Sequence, residues 1–279
     1  MPTKKDQVSK KKTKIIMTNA RRNIFLIPLA FFFIFFGFGT AQQYLVILFS
    51  TQGRGHLALS VLFILYGTFL FISIVVAKII PWLGGLKKSL LAGAFTYFLF
   101  VGSVAINNTA LLYIASVLIG IGAGLLWVSS GQIITDSSDE HTVGRNLAFQ
   151  MIGMYCGNIL GIYAGSYLVR MLVVESVFLV LAISILGGIF FLPWVRPVRE
   201  EIKARLFKPY YMFNWKMLVL FPLIFGANFL QAQVFTAMNI IIIGLMGVVS
   251  IALLVTVIKV SNIAGSFSSG VIAGRFSKP

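Results

Sequence analysis

A lysine and a scatter of carboxamides interrupt stretches of sequence that are otherwise apolar. Lys259 lies near the middle of the last such stretch, and Gln42, Gln43, Gln150, Asn158, Asn228, Gln231 and Asn262 lie within earlier or neighbouring ones. A charge inside hydrocarbon costs about 2.5–3.5 kcal/mol on insertion scales, so a buried ammonium is expected to attract an anionic group. The carboxamides carry donors and acceptors for a small solute. Their plainer role is to hydrogen-bond between helices, at about 0.6 kcal/mol each on average. Enzymatic chemistry is not expected. No nucleophile stands at workable spacing from a base, and the glycines from Gly120 to Gly124 sit inside an apolar run rather than in a phosphate-cradling loop after a strand. His56 and His141 fall in separate connections without Cys or acidic residues at ligand spacing, so no metal and no cofactor is expected. Cys156 is the single cysteine, which excludes an intramolecular disulfide.

The elements that carry these groups are long. Of 279 residues 58% are hydrophobic and 11% charged, with 26 Phe; soluble domains carry about 25% charged residues. Apolar runs of roughly 20 residues span a ~30 Å hydrocarbon core as helices. Such runs are predicted at 24–49, 57–80, 89–106, 110–134, 147–169, 176–194, 216–243 and 248–273. The first is too long to be a cleaved signal peptide. Phe36, Gly37 and Gln42 of the first run reappear as Phe225, Gly226 and Gln231 of the seventh. A second half that restarts the first after six spans implies two related six-helix bundles, of which the second shows only two helices here. The chain therefore divides into a basic tail (1–22), expected to be disordered, a first six-helix bundle (23–195), a basic linker (196–215) and a partial second bundle (216–279).

Charge orients the spans. Of the 23 basic residues, all but Arg54, Arg170 and Lys259 fall on one side if the spans alternate, and the positive-inside rule makes that side cytoplasmic, the amino terminus with it. The net charge of +16 thus has a topological origin. Nucleic acid is not expected as a partner, because no folded reader is present; the tail can be drawn weakly to anionic lipid head groups. Asn107, Asn108 and Thr109 form a glycosylation sequon in a loop too short and too close to the bilayer for its use to be expected.

Gly153, Gly157, Gly161 and Gly165 recur every fourth residue on the fifth span, a face that admits a neighbouring backbone closely, and span four carries Gly120, Gly122, Gly124 and Gly131. The connection after span two contains Pro81, Gly84, Gly85, Lys87 and Lys88, and its counterpart after span eight contains Gly270, Arg275 and Lys278. The latter resembles the Gly-x-x-x-Asp-Arg-x-Gly-Arg loop of the major facilitator superfamily, with Gly274 in place of the Asp and Ser277 in place of the second Gly; the first-half copy lacks both Asp and Arg. Gly37 to Gln43, the Gly-rich run from Gly120 to Trp127 with Gly131 and Gln132, and Gly144, Arg145 and Asn146 leading to Gln150, Gly157 and Asn158 resemble the uncoordinated-ninety-three branch of that superfamily.

The resemblance implies an all-α polytopic membrane protein with a major facilitator fold, a complete six-helix first bundle plus two helices of a second. It implies a central cavity lined from spans one, four, seven and their neighbours, with Gln42, Gln43, Trp127, Gln150, Asn158, Asn228, Gln231, Lys259 and Asn262 as the candidate substrate-binding residues. It also implies a secondary transporter of a small solute working by alternating access, this chain being a fragment of a 12-helix protein. The branch includes members that regulate or escort other membrane proteins, so a non-transporting partner of a membrane protein is an alternative. An inactive truncated product is another, because Pro279 falls before an expected ninth helix. The partners expected are the lipid bilayer, an unknown small solute, or another membrane protein. No Asp or Glu lies inside a span, which leaves a carboxylate proton relay without residues.

Overall fold

The computed structural model describes residues 4–198 and 249–276, and every regular element among them is helical. The helices are α1 (Lys4–Thr51), α2 (Gly55–Trp82), α3 (Leu86–Ile106), α4 (Thr109–Asp136), α5 (Val143–Met171), α6 (Val174–Phe191), continued by a 3-10 turn (Leu192–Trp194), and α7 (Val249–Phe276). Seven of the described helices are long and apolar enough to cross a membrane. The protein is an integral, multi-pass membrane protein. Each predicted span except 216–243, which lies outside the described residues, coincides with one helix to within about four residues at most ends.

The tail departs from expectation. Residues 4–22 do not form an irregular extension but continue α1 as helix. Lysine is a good helix former, and elongating an existing helix avoids the costly nucleation step, so an apolar span can propagate backwards through a basic segment.

Local chemistry sets the ends. α3 stops at Asn107, whose φ of 54° is left-handed, and the next residue, Asn108, caps α4 by accepting the Leu111 N–H at 3.0 Å. Gly84 (φ 87°) and Gly85 (φ 104°) make the tight reversal between α2 and α3, a conformation closed to most side chains. In the turn between α4 and α5, the Asp139 carboxylate accepts from the Thr142 hydroxyl at 2.7 Å and from the backbone N–H groups of Thr142 and His141. The Thr142 hydroxyl above all, then those N–H groups, hold the Asp139 carboxyl below the usual carboxylate range.

α1 runs between α5 and α6; α4 lies against α2 and α3, α3 against α6, and α7 against α5. The glycine stripe of α5 faces α1: a Cβ added at Gly153 would meet the Pro28 carbonyl oxygen at 2.5 Å, and one at Gly157 or Gly161 would run into the carbonyls of Phe32 or Phe36. The glycines of α4 serve other neighbours. Gly120 and Gly124 admit Thr68 and Ile72 of α2, Gly122 admits Thr96 of α3, and Gly131 faces open space. Gly270 packs against the start of α5, where its Cβ would lie 3.0 Å from that of Ala148 and 3.1 Å from the Gly144 carbonyl. The end of α7 thus meets the Gly-Arg-Asn element that opens α5.

One end of the bundle is cross-tied. Asn23, fully buried, donates to the Ser137 hydroxyl at 3.1 Å and the Arg196 carbonyl at 2.8 Å, and accepts the Arg196 N–H at 2.9 Å. Lys87 donates to the Pro193 carbonyl. At the other end Arg54 donates to the Asn107 side-chain oxygen and the Thr109 hydroxyl, each at 3.1 Å. Away from these ties the exterior is apolar, with Phe63, Leu70, Phe71 and Phe190 exposed as a lipid-facing surface requires.

Gly157→Leu is expected to lower stability by roughly 1–3 kcal/mol through overpacking against α1. Gly131→Ala, which adds a methyl to open space, is expected to leave the thermal midpoint unchanged or raise it. Thermal unfolding of the two variants in detergent checks the contrast.

Candidate functional site

Successive turns of α1 present Phe35, Phe38, Gly39 and Gln42 on one face, and α5 repeats that spacing with Met151, Met154, Tyr155 and Asn158. Residues at i, i+3, i+4 and i+7 share a helix face, so each helix contributes one continuous strip. The strips face a common cavity of about 410 Å³. α2 adds Leu65, Tyr66 and Phe69, α3 adds Tyr97, α4 adds Ile119, Ala123 and Trp127, and α7 closes it with Lys259.

Its polar groups are held rather than loose. Gln42 donates to the Tyr66 hydroxyl at 2.7 Å, which joins α1 to α2 across the cavity. Asn158 donates to the Met154 carbonyl at 3.1 Å, one turn back on α5. Its carbonyl oxygen lies over Gly39, in the space a Cβ there would fill. The glycine is what allows the Asn158 carboxamide to lie across α1. Gln43 is buried and lines the same cavity.

Aromatic rings build one wall. Trp127 meets Phe31 and Phe35 edge-on, with centroids 5.3 and 5.7 Å away, and Phe38 meets Tyr97 edge-on at 4.8 Å. Edge-to-face contacts at these separations are favourable and fix ring orientation. On the α5–α7 side the Lys259 ammonium lies 5.4 Å from the Tyr155 ring centroid, within cation–π range, and the residue is only 5% exposed. The Thr256 and Tyr163 hydroxyls, 3.2 Å apart, tie α7 to α5 one turn away.

Of the candidate substrate-binding residues, Gln42, Gln43, Trp127, Asn158 and Lys259 line this one cavity. Gln150 does not line it. It is 1% exposed and donates to the Ser130 hydroxyl of α4 at 2.9 Å, the helix-to-helix role weighed above. Asn262, one turn beyond Lys259, is half-buried, is not among the lining residues, and its amide nitrogen has no hydrogen-bond partner among the described residues. Asn228 and Gln231 lie outside the described residues. Apart from Trp127, sequence reasoning passed over the ring-bearing lining residues, Tyr66, Tyr97 and Tyr155 above all. A hydroxyl placed mid-span on three different helices was the available signal.

Gly39→Ala is expected to destabilise by about 1–3 kcal/mol as the new methyl displaces Asn158. Most of that loss is expected to vanish in an Asn158→Ala background, a coupling that a double-mutant cycle of thermal midpoints measures.

Residues 29–279 match the sequence profile of the Major Facilitator Superfamily. An UNC93-like protein 3 of Arabidopsis thaliana is 26% identical over 146 residues, 52% of this chain and 29% of that protein. An UNC93-like protein MFSD11 of Xenopus laevis is 32% identical over 147 residues, 49% of this chain and 32% of that protein. The matched stretch therefore spans about a third of the length of these curated relatives. Among solved structures, a peptide transporter POT crystallised with sulfate aligns with a TM-score of 0.52 and 19% identity, over 88% of this chain and 50% of that one. A mutant of such a transporter, also with sulfate, aligns at 0.51 and 18%, over 80% and 46%. At such identities the alignment speaks for the fold alone. With a profile match across most of its length, the chain belongs to the Major Facilitator Superfamily and resembles the UNC93-like proteins within it.

Proposed function

We propose that the chain supplies the first bundle and part of the second of a secondary transporter, in which the cavity between α1–α5 and α7 holds a small solute during alternating access. The observation that supports this most directly is the concave space of about 410 Å³ where carboxamides and one ammonium face aromatic walls. Ligand sites are typically concave, mostly apolar and furnished with a few fixed polar groups. The division into a basic tail, a first bundle, a linker and a partial second bundle belongs to the same proposal, as does membership of a 12-helix protein. The orientation does too: the basic residues flanking the α2–α3 turn and α1 support a cytoplasmic amino terminus.

A second reading has one specific support. None of the seven acidic residues falls inside a span predicted from the sequence, which leaves a carboxylate proton relay without residues there. A non-transporting partner of another membrane protein needs no such relay. Purification from native membranes separates the two. A transporter gives solute-dependent stabilisation and uptake in proteoliposomes that Trp127→Ala abolishes, whereas a stoichiometric co-purifying membrane protein with neither response favours the partner role.

For orientation, in a Cys156→Ser background, Lys88→Cys is expected to react with an impermeant maleimide only after permeabilisation. Gln52→Cys, in the α1–α2 connection, is expected to react in intact cells. The reverse pattern would overturn the assigned topology.

A further inference from the structure

We propose that the occupant of this cavity is a monoanionic organic acid with a flat apolar body, an inference that rests on the reading of the cavity as a solute site. Charge fixes the first half of the description. Among the described residues that line the cavity, Lys259 is the only one with an ionised side chain, and it is almost wholly removed from solvent. The face of Tyr155 lies 5.4 Å from the ammonium, within cation–π range. A carboxylate brought against Lys259 meets a positive group on a residue largely withdrawn from solvent, which is where such a pair discriminates most strongly. A dianion would leave its second charge unmatched in the same apolar space, because the remaining polar groups there are neutral amides and hydroxyls.

Shape and surface fix the second half. Opposite the α5–α7 side stands the edge-to-face set of Phe35, Phe38, Tyr97 and Trp127, whose rings are already locked against one another. A planar apolar body can pack on such a wall without reorganising it. The two thioethers of Met151 and Met154 flank the space and adapt to the outline of what enters. Asn158 and Gln43 offer amide donors and acceptors, which suit a carboxylate oxygen or a hydroxyl on the ligand rather than a second charge. Because Lys259 belongs to α7 and the aromatic wall to α1, α3 and α4, a ligand that touches both joins the first bundle to α7.

Equilibrium binding of tritiated 2-naphthoate to the full protein in lipid nanodiscs tests this. Saturable binding is expected, weakened at least about tenfold by Lys259→Met and changed far less by Lys259→Arg, as loss of one member of a buried charge pair predicts. Unlabelled 2-naphthamide and 2,6-naphthalenedicarboxylate are expected to compete at least about tenfold more weakly than 2-naphthoate, and acetate, which lacks the apolar body, not at all at millimolar concentration. Removing a charge from a membrane helix favours folding, so Lys259→Met is expected to keep its thermal midpoint. Equal competition by the amide, unaltered affinity in Lys259→Met, or no binding of 2-naphthoate at millimolar concentration each overturns the proposal. The solute-site reading fails separately, if neither 2-naphthoate nor any neutral solute binds in a manner lost in Trp127→Ala. If a neutral solute binds in a manner lost in Trp127→Ala and kept in Lys259→Met, the cavity stands as a site and the anion class falls.

Discussion

The contact on which the rest of this bundle depends is the approach of two backbones, α1 and α5, along three glycines. In lipid there is no hydrophobic gain from bringing helices together, so association rests on van der Waals fit and a few polar contacts. Gly153, Gly157 and Gly161 remove the side chains that would hold α5 away from the carbonyls of Pro28, Phe32 and Phe36. At that separation the adjoining faces of the two helices turn into one space, and Asn158 comes to rest on Gly39. α7 is positioned in turn by α5, so Lys259 reaches the cavity only because α5 is already seated. Widening the α1–α5 seam by one methylene would move the floor, one wall and the single charge of the cavity together.

The cavity itself reads as a compromise between two demands on mid-membrane polarity. Gln42 and Asn158 could each have been left with open hydrogen-bonding capacity. Instead Gln42 is tied to Tyr66, and Asn158 donates back to its own helix while keeping its carbonyl toward α1. Fixing one half of each carboxamide limits the cost of burying it and leaves a defined remainder for a ligand. The acidic groups follow the opposite course: Asp139, which does not line the cavity, is satisfied in an exposed turn by Thr142 and His141.

Much of this was legible in one dimension, and the limits have physical causes. Span positions were readable because hydrocarbon thickness imposes a minimum length on any apolar run, and α4 at Thr109–Asp136 differs from its predicted 110–134 only by polar end residues that a hydropathy pattern discards. The tail was misread because lysine density suggests disorder while saying little about a helix already nucleated downstream. Lys259 was readable because no other charge competes for attention within a span. Gln150 was grouped with the cavity residues because spacing alone does not show which neighbour a carboxamide faces; only the position of Ser130 on α4 decides it. The stripe on α5 announced close packing but not its partner, which proved to be α1 rather than the glycine-rich α4. The tyrosines were overlooked because a ring in an apolar run counts as lipid-facing until the fold turns it inward.

The knot at Asn23 gives the bundle an uneven mechanical character. One carboxamide, Asn23, pins the start of the apolar part of α1 to the end of α4 and to the backbone beyond α6, and Lys87 fastens the α2–α3 turn to the same segment. At the opposite end Arg54 bridges the α1–α2 and α3–α4 connections. Force applied to the molecule would therefore spread at the tied end and concentrate at the other. The tied end acts as a fulcrum and the far ends of α1 to α4 as the compliant arm.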